Sequence, residues 1–446
     1  MFNIKNSVQH KSLIMLALPM IFSNITVPLL GLVDTAVIGH LDHAYYLGGA
    51  TVGAMIITFI TWICGFLRMS TTGLSAQAYG ANNSKLGIVI LLRGILVATL
   101  VGTSLILFQV FYLNGALFLA GGSDQVQFYA RQYSDIRIWG LPAALSNLVI
   151  LGWLLGNHQA KSVMWILIFT NLINLGLDLL FVISLDWQVE GIAIATLIAE
   201  YSGLILGLLV VYVKFKSPLK RAIYDYKALL VAVLHKNELL AYFKLNRDIL
   251  IRTLCIELCF VFITFQGARI GDNAVAANAI LLNFILLISF GLDGVANAAE
   301  VLVGKAKGAK DYLSLHTIVN ISLFWTGAFA LCYSFIFIFA GDIFVTWITD
   351  IDEVITFTEQ YMFWIILLPL IGCWCYLYDG IYIGLMQARA MRNSMIVATF
   401  GCFFPVWFVL QGYGNHALWA ALSIFLLARG LTLAWHYKYR VKVNFD

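Results

Sequence analysis

Long apolar stretches recur along the whole chain, and their length leaves few architectures open. Twelve are discernible, at 12–38, 46–68, 87–114, 136–156, 162–184 and 189–214 in the first half, and at 248–268, 273–296, 314–340, 355–385, 394–412 and 415–437 in the second. Each is about as long as an α-helix must be to cross a hydrocarbon core of about 30 Å. None shows the two-residue alternation of a membrane β-barrel. The third and ninth are longer than a bilayer needs, so tilt is expected there. Only 11% of the 446 residues are charged and 61% are hydrophobic, whereas soluble domains carry about 25% charged residues. Such a chain is solvated by lipid, and its backbone polar groups must be paired within each helix. The expected fold class is an all-α polytopic membrane protein with twelve transmembrane helices.

The first apolar stretch follows Lys5, His10 and Lys11 and could be mistaken for a leader peptide. It runs well beyond an ordinary h-region and no AxA site follows, so it reads as a retained first span. With both termini on the cytoplasmic side, cytoplasmic segments hold 21 of the 27 Lys and Arg residues, and external loops hold only Arg131 and Arg269. That is the asymmetry expected of positive-inside topology. Arg93, Arg137, Arg252 and Arg429 fall within spans, and the first, second and last of these either snorkel or pair. The seven cysteines all lie in apolar runs without CxxC or metal-type spacing, so they read as packing residues.

One long charged stretch, 215–247, divides the chain. Its basic residues alternate with Leu219, Tyr224, Leu229, Leu230, Leu234 and Leu239, which fits either an amphipathic linker on an anionic leaflet or a solvated basic loop. The expected division is a first lobe at 1–214, this linker, and a second lobe at 248–446. An internal repeat supports it. Ala78-Tyr79-Gly80-Ala81 and Ala306-Lys307-Gly308-Ala309 are 228 residues apart, as are Gly156-Asn157-His158-Gln159-Ala160 and Gly384-Leu385-Met386-Gln387-Ala388. Six spans per half give both halves the same orientation, so the expected relation is a pseudo-two-fold axis along the membrane normal, with a central cavity between two six-helix lobes.

Polar groups within spans are costly and usually face protein or an aqueous cavity. Asn24, Pro28, Gly31 and Asp34-Thr35 form one stripe at helical spacing on the first span. Pro19 and Pro28 each remove a backbone hydrogen bond and favour bending there. A carboxylate on a bendable helix suits a protonation switch, and a buried Asp34 paired structurally with a neighbour is the alternative. Asn171, Asn174 and Asp178 share a face of the fifth span, and Thr196 and Glu200 are one turn apart on the sixth. Carboxylates on different helices can share a proton, and such residues can equally be interhelical hydrogen-bond glue. The second half offers Arg252 and Glu257 in the seventh span, Asp293 in the eighth and Asp379 in the tenth. Arg252 and Glu257 are five residues apart, a poor intrahelical pair, so each needs a partner elsewhere.

No HExxH, GxSxG or GxxxxGK[ST] pattern occurs. The chain is therefore not read as an enzyme or a direct ATP user, and an ion gradient remains as the energy source.

Leu18-Pro19-Met20-Ile21-Phe22-Ser23-Asn24 and Gly31-Leu32-Val33-Asp34-Thr35-Ala36-Val37-Ile38-Gly39-His40-Leu41 resemble the multidrug and toxic compound extrusion (MATE) family, in its DinF-like branch. Arg68-Met69-Ser70-Thr71-Thr72-Gly73, Leu151-Gly152-Trp153-Leu154-Leu155-Gly156, Leu245-Asn246-Arg247-Asp248, Met391-Arg392-Asn393-Ser394-Met395 and Asn415-His416-Ala417-Leu418-Trp419 extend the resemblance over essentially the whole chain. It implies the MATE/MOP fold and an ion-coupled antiporter exporting amphipathic, often cationic compounds across the bacterial inner membrane. By resemblance, Asp34, Asn174, Asp178 and Thr196 form a proton-coupling site, and Pro19 is where the first helix bends. Asn24, Pro28, Gly31 and Asn171 are the candidate cavity residues. Glu257 resembles the seventh-helix glutamate of the sodium-linked branch and, with Asp379, forms a rival cation site. The expected coupling ion is H+, with Na+ as the alternative, and no metal or other cofactor. Expected partners are small amphipathic molecules and the bilayer, with no nucleic acid, and the chain is expected to act as a monomer. The competing function is a flippase for lipid-linked precursors in the same superfamily. A strongly cationic cavity would favour it, but few basic residues lie in these spans.

Overall fold

The computed structural model describes residues 7–39, 44–349 and 351–441, with side chains at 26–39, 44 and 272 outside the description. Among the described residues the chain is helical and has no strand. Twelve long helices succeed one another: α1 (Ser7–Gly39), α2 (Tyr45–Gly80), α3 (Ser84–Leu107), α4 (Asp124–Gly156), α5 (Ala160–Ser184), α6 (Gln188–Lys214), α7 (Lys236–Ile270), α8 (Asn273–Gly308), α9 (Tyr312–Ile348), α10 (Met362–Gly384), α11 (Ala388–Tyr413) and α12 (Asn415–Val441). Ten of these are long and apolar enough to cross a membrane, and α1 and α7 complete the set expected from the sequence.

Several limits differ from the expected ones, for local reasons. The third span closes at Leu107, and a separate helix, Gln109–Ala120, follows. The tenth begins at Met362, because a short helix, Asp352–Glu359, precedes it. The basic stretch after α6 folds into two short helices, Lys216–Tyr224 and Tyr226–Val233, and its remainder, 236–247, is the start of α7. The apolar side of these short helices packs on α3: Ala222, Leu229 and Val233 cluster with Ile88 and Val89. Arg93 of α3 donates to the carbonyls of Ala232 and Val233 at 2.8 and 3.3 Å, so that arginine is buried and satisfied rather than snorkelled.

The helices divide into two compact units. One comprises Phe22–Phe243, and the other comprises Met1–Ile21 with Lys244–Asp446. The start of α1 thus packs with the second-half helices, where Ile21 lies against Gly294 of α8. The change of unit falls just after Pro19, which is buried inside α1.

The internal repeat is visible as repeated local geometry. Asn82 after α2 and Lys310 after α8 both take left-handed backbone, with φ of 53° and 57°. His158 after α4 and Met386 after α10 do the same, at 61° and 55°. Such conformations are uncommon for residues other than glycine, so their recurrence at a spacing of 228 marks the same helix-ending turn used twice. The next helix also starts alike. Asn83 accepts the Leu86 N–H at 3.0 Å, and Asp311 accepts the Ser314 N–H at 3.0 Å. Packing repeats too. A Cβ on Gly152 or Gly156 of α4 would come within 2.6 Å of the Arg68 or Thr72 carbonyl oxygen of α2. Gly380 and Gly384 of α10 approach the Ala296 and Glu300 carbonyls of α8 closer still. Lipid tails are as apolar as leucine, so membrane helices associate by close packing, and glycines one turn apart permit it.

Candidate functional site

In the first unit, α5 and α6 bring two of the expected site residues, Asn174 and Thr196, into contact, and Asp178 lies one turn from Asn174 on α5. Asn174 is 1% exposed and Asp178 fully buried, although α5 borders lipid through the exposed Phe169, Leu172 and Leu179. Asn174 Nδ2 donates to Thr196 Oγ1 at 3.3 Å, and Thr196 donates to the Ile192 carbonyl at 2.9 Å. The threonine hydroxyl therefore has its proton committed to its own helix and its lone pair turned to Asn174. Asn174 Oδ1 is buried without a hydrogen-bond partner among the described residues. Immediately after Asp178 the helix widens into a π-helical turn, Leu179–Ser184. Such turns break the i→i−4 ladder and are frequent at functional sites. Asn24 and Asn171 are partly buried. Pro28, Gly31 and Asp34 lie on α1, but their side chains are outside the described residues.

Glu200, one turn beyond Thr196 on α6, belongs to a different arrangement. Arg137 of α4 grips it with two hydrogen bonds, Nη1 to Oε2 at 2.8 Å and Nη2 to Oε1 at 2.9 Å. Planar guanidinium matches carboxylate geometry in this fork. Asn147 of α4 adds a bond to the Glu200 carbonyl at 2.8 Å.

In the second unit, Asp379 is 5% exposed and one oxygen, Oδ2, accepts from two arginines. Arg429 of α12 donates at 2.6 Å, and Arg252 of α7 donates to the same oxygen. The seventh-span arginine thus finds its partner on α10. Glu257 is partly buried on α7, and Asp379 has both of its ion pairs with arginines. A carboxylate already held by two guanidinium groups is a poor ligand for a further cation, because their charge opposes its approach. Elsewhere in the same unit, Asn278 of α8 and Asn415 of α12 exchange amide bonds at 2.8 and 2.9 Å, with Trp419 Nε1 donating to Asn278 at 2.9 Å.

The two ion-pair clusters escaped sequence reasoning. Their signal was present in the four arginines within apolar spans, each of which requires a buried counter-charge or acceptor.

A repeated set of long helices, ten of them apolar enough to cross a membrane among the described residues, with buried carboxylates at Asp178 and Asp379, defines a polytopic membrane protein of transporter type. The MatE family model matches twice, over residues 19–180 and 249–410, and the chain belongs to this family. It is 43% identical to DNA damage-inducible protein F of Escherichia coli over 95% of this chain and 91% of that protein. It is 23% identical to the probable multidrug resistance protein NorM of Photorhabdus laumondii, covering 97% of this chain and 96% of that one. A crystal structure of MATE in the bent conformation matches with a TM-score of 0.85 at 16% identity, over 98% of this chain and 96% of that one. The protein is a multi-pass membrane protein with the fold of that family.

Proposed function

We propose that the protein is a proton-coupled antiporter that exports amphipathic, often cationic compounds across the bacterial cytoplasmic membrane, with both termini on the cytoplasmic side. The observation that carries this reading is the Asn174–Thr196 hydrogen bond, with the buried Asp178 one turn along α5 beside a π-helical turn. A carboxylate so enclosed gains or loses a proton only with rearrangement of its neighbours. Asp34 on α1 is the proposed proton acceptor that works with this grouping. Proton binding there changes the bend of α1 near Pro19, where the helix passes from one compact unit to the other. That change alters affinity for substrate, and only a difference in affinity between two states can drive export. The multidrug resistance name carried by the NorM relative supports the substrate class. No metal or other cofactor enters the proposal.

The test is transport of dyes and bile salts in vesicles given a proton gradient or a sodium gradient separately. Proton-driven uptake into everted vesicles, with none under sodium alone, is the expected result. Sodium-only driving would move the coupling site towards Glu257. The doubly paired state of Asp379 weighs against that alternative.

A further inference from the structure

The second unit contains a cavity of about 850 Å³ that the transport reading does not use. It opens where the start of α7, the turn between α10 and α11, and the end of α12 meet, and is lined by Lys244, Gln387, Arg389, Ala390, Leu431 and Trp435, among others. We infer that it is a binding site for an anionic phospholipid, whose phosphate is held by Lys244 and Arg389 and whose acyl chain lies along α11 and α12.

Three observations carry this. First, the charge is right. The one acidic lining residue, Asp248, is already paired with Arg392 at 2.8 Å and Arg247 at 3.1 Å. Lys244 and Arg389 make no ion pair among the described residues, so their charges are available at the cavity mouth. Second, the walls have two characters. Gln387, Asn393, Ser394 and Thr432 offer polar atoms, whereas Val397, Leu431 and Trp435 are 51%, 60% and 59% exposed on membrane helices. A headgroup with an attached chain matches that division, and tryptophan at such a boundary is a usual interfacial anchor. Third, the volume lies in the range of small-ligand sites. Basic pockets between helices at the cytoplasmic surface are suited to anionic headgroups. Assignment to the cytoplasmic leaflet rests on the topology proposed above, but binding itself does not.

The test is native mass spectrometry of the full-length protein in detergent, titrated with phosphatidylglycerol, phosphatidylcholine and glycerol phosphate. Phosphatidylglycerol should be retained over phosphatidylcholine. K244Q/R389Q should lose about 30-fold in affinity, from two surface charges acting together. A390F keeps both charges while narrowing the cavity, and should lose binding too. K220Q/R221Q removes equal charge from the helix Lys216–Tyr224 and should leave binding unchanged. Equal loss in the two charge variants, equal retention of both lipids, or glycerol phosphate binding as tightly as the lipid would each overturn the proposal. So would lipid binding seen only in a variant ending at Val441, because the chain's own C-terminal residues would then be the occupant. None of these readouts depends on transport, so failure here leaves the antiport reading untouched.

Discussion

Arg137 and Glu200 face each other across α4 and α6 in a two-pronged ion pair, at 2.8 and 2.9 Å, with side chains only 9% and 19% exposed. Glu200 sits one turn from Thr196, so the pair fixes the rotation of α6 that turns Thr196 towards Asn174. Removing one partner strands the other in a low-dielectric interior. R137A and E200A should each lower unfolding free energy by about 3 kcal/mol. R137M/E200L should recover most of that loss, because neither charge remains to be solvated. Thermal unfolding of the four proteins in one detergent reads this directly. Single variants as stable as the parent would show the pair to be energetically idle.

The cluster around Asp379 makes a different ordering testable. Losing either Arg252 or Arg429 leaves one arginine still paired, whereas losing the aspartate leaves two buried guanidinium groups facing each other. D379N should therefore be clearly less stable than R252M or R429M, by a margin of about 2 kcal/mol or more. Sodium added to the parent protein should not raise its melting temperature through this site. Sodium-dependent stabilisation that disappears in D379N would contradict that assignment.

The glycine pairs give a prediction that spans both halves. G152A and G380A each place a methyl against a backbone carbonyl of the neighbouring helix, where no flexible side chain can yield. Each should cost about 1–3 kcal/mol, the usual range for forced overpacking. G115A, at an open position outside these contacts, should cost much less. Melting temperatures measured side by side decide it.

Asp311 offers a pH-dependent effect at a helix start. Its carboxylate accepts from Ser314, which holds its pKa below the usual carboxylate value. A depressed folded-state pKa adds stability that is present above the unfolded value and lost as pH falls through the folded one. D311A should cost about 1 kcal/mol at neutral pH, the typical worth of such a cap. The gap between parent and variant should shrink below about pH 4, where the carboxylate protonates first in the unfolded chain, and should close as pH falls through the lower folded value. D311N should stay near the parent, because Asn83 performs the same capping in the first half. A gap independent of pH would mean the side chain acts other than through its charge.

The span pattern was readable because bilayer thickness sets a length that sequence must satisfy. Breaks within it were less so: Phe108 falls between two helices in a largely apolar run, and the acidic helix Asp352–Glu359 directly precedes the tenth span, with only Gln360 and Tyr361 between them. Asn174, Asp178 and Thr196 could be grouped from helical spacing and family resemblance together, and the Asn174–Thr196 bond fits that grouping. The partners of Arg137, Arg252 and Arg429 could not be chosen beforehand. Spacing along one helix says nothing about which residue on a helix far along the chain stands opposite, and Glu200, Glu257, Asp293 and Asp379 were all chemically eligible. The match between Gly152 and Gly380 lay in the repeat itself. Its meaning required the neighbouring carbonyls of Arg68 and Ala296.

The most direct measurement is proton-driven export in everted vesicles by the parent, D34N, D178N and E257Q proteins, at matched amounts of folded protein in the membrane. The account expects D34N and D178N to lose energised export while E257Q retains it. Normal proton-driven export by D34N, or loss confined to E257Q under a sodium gradient, would contradict it.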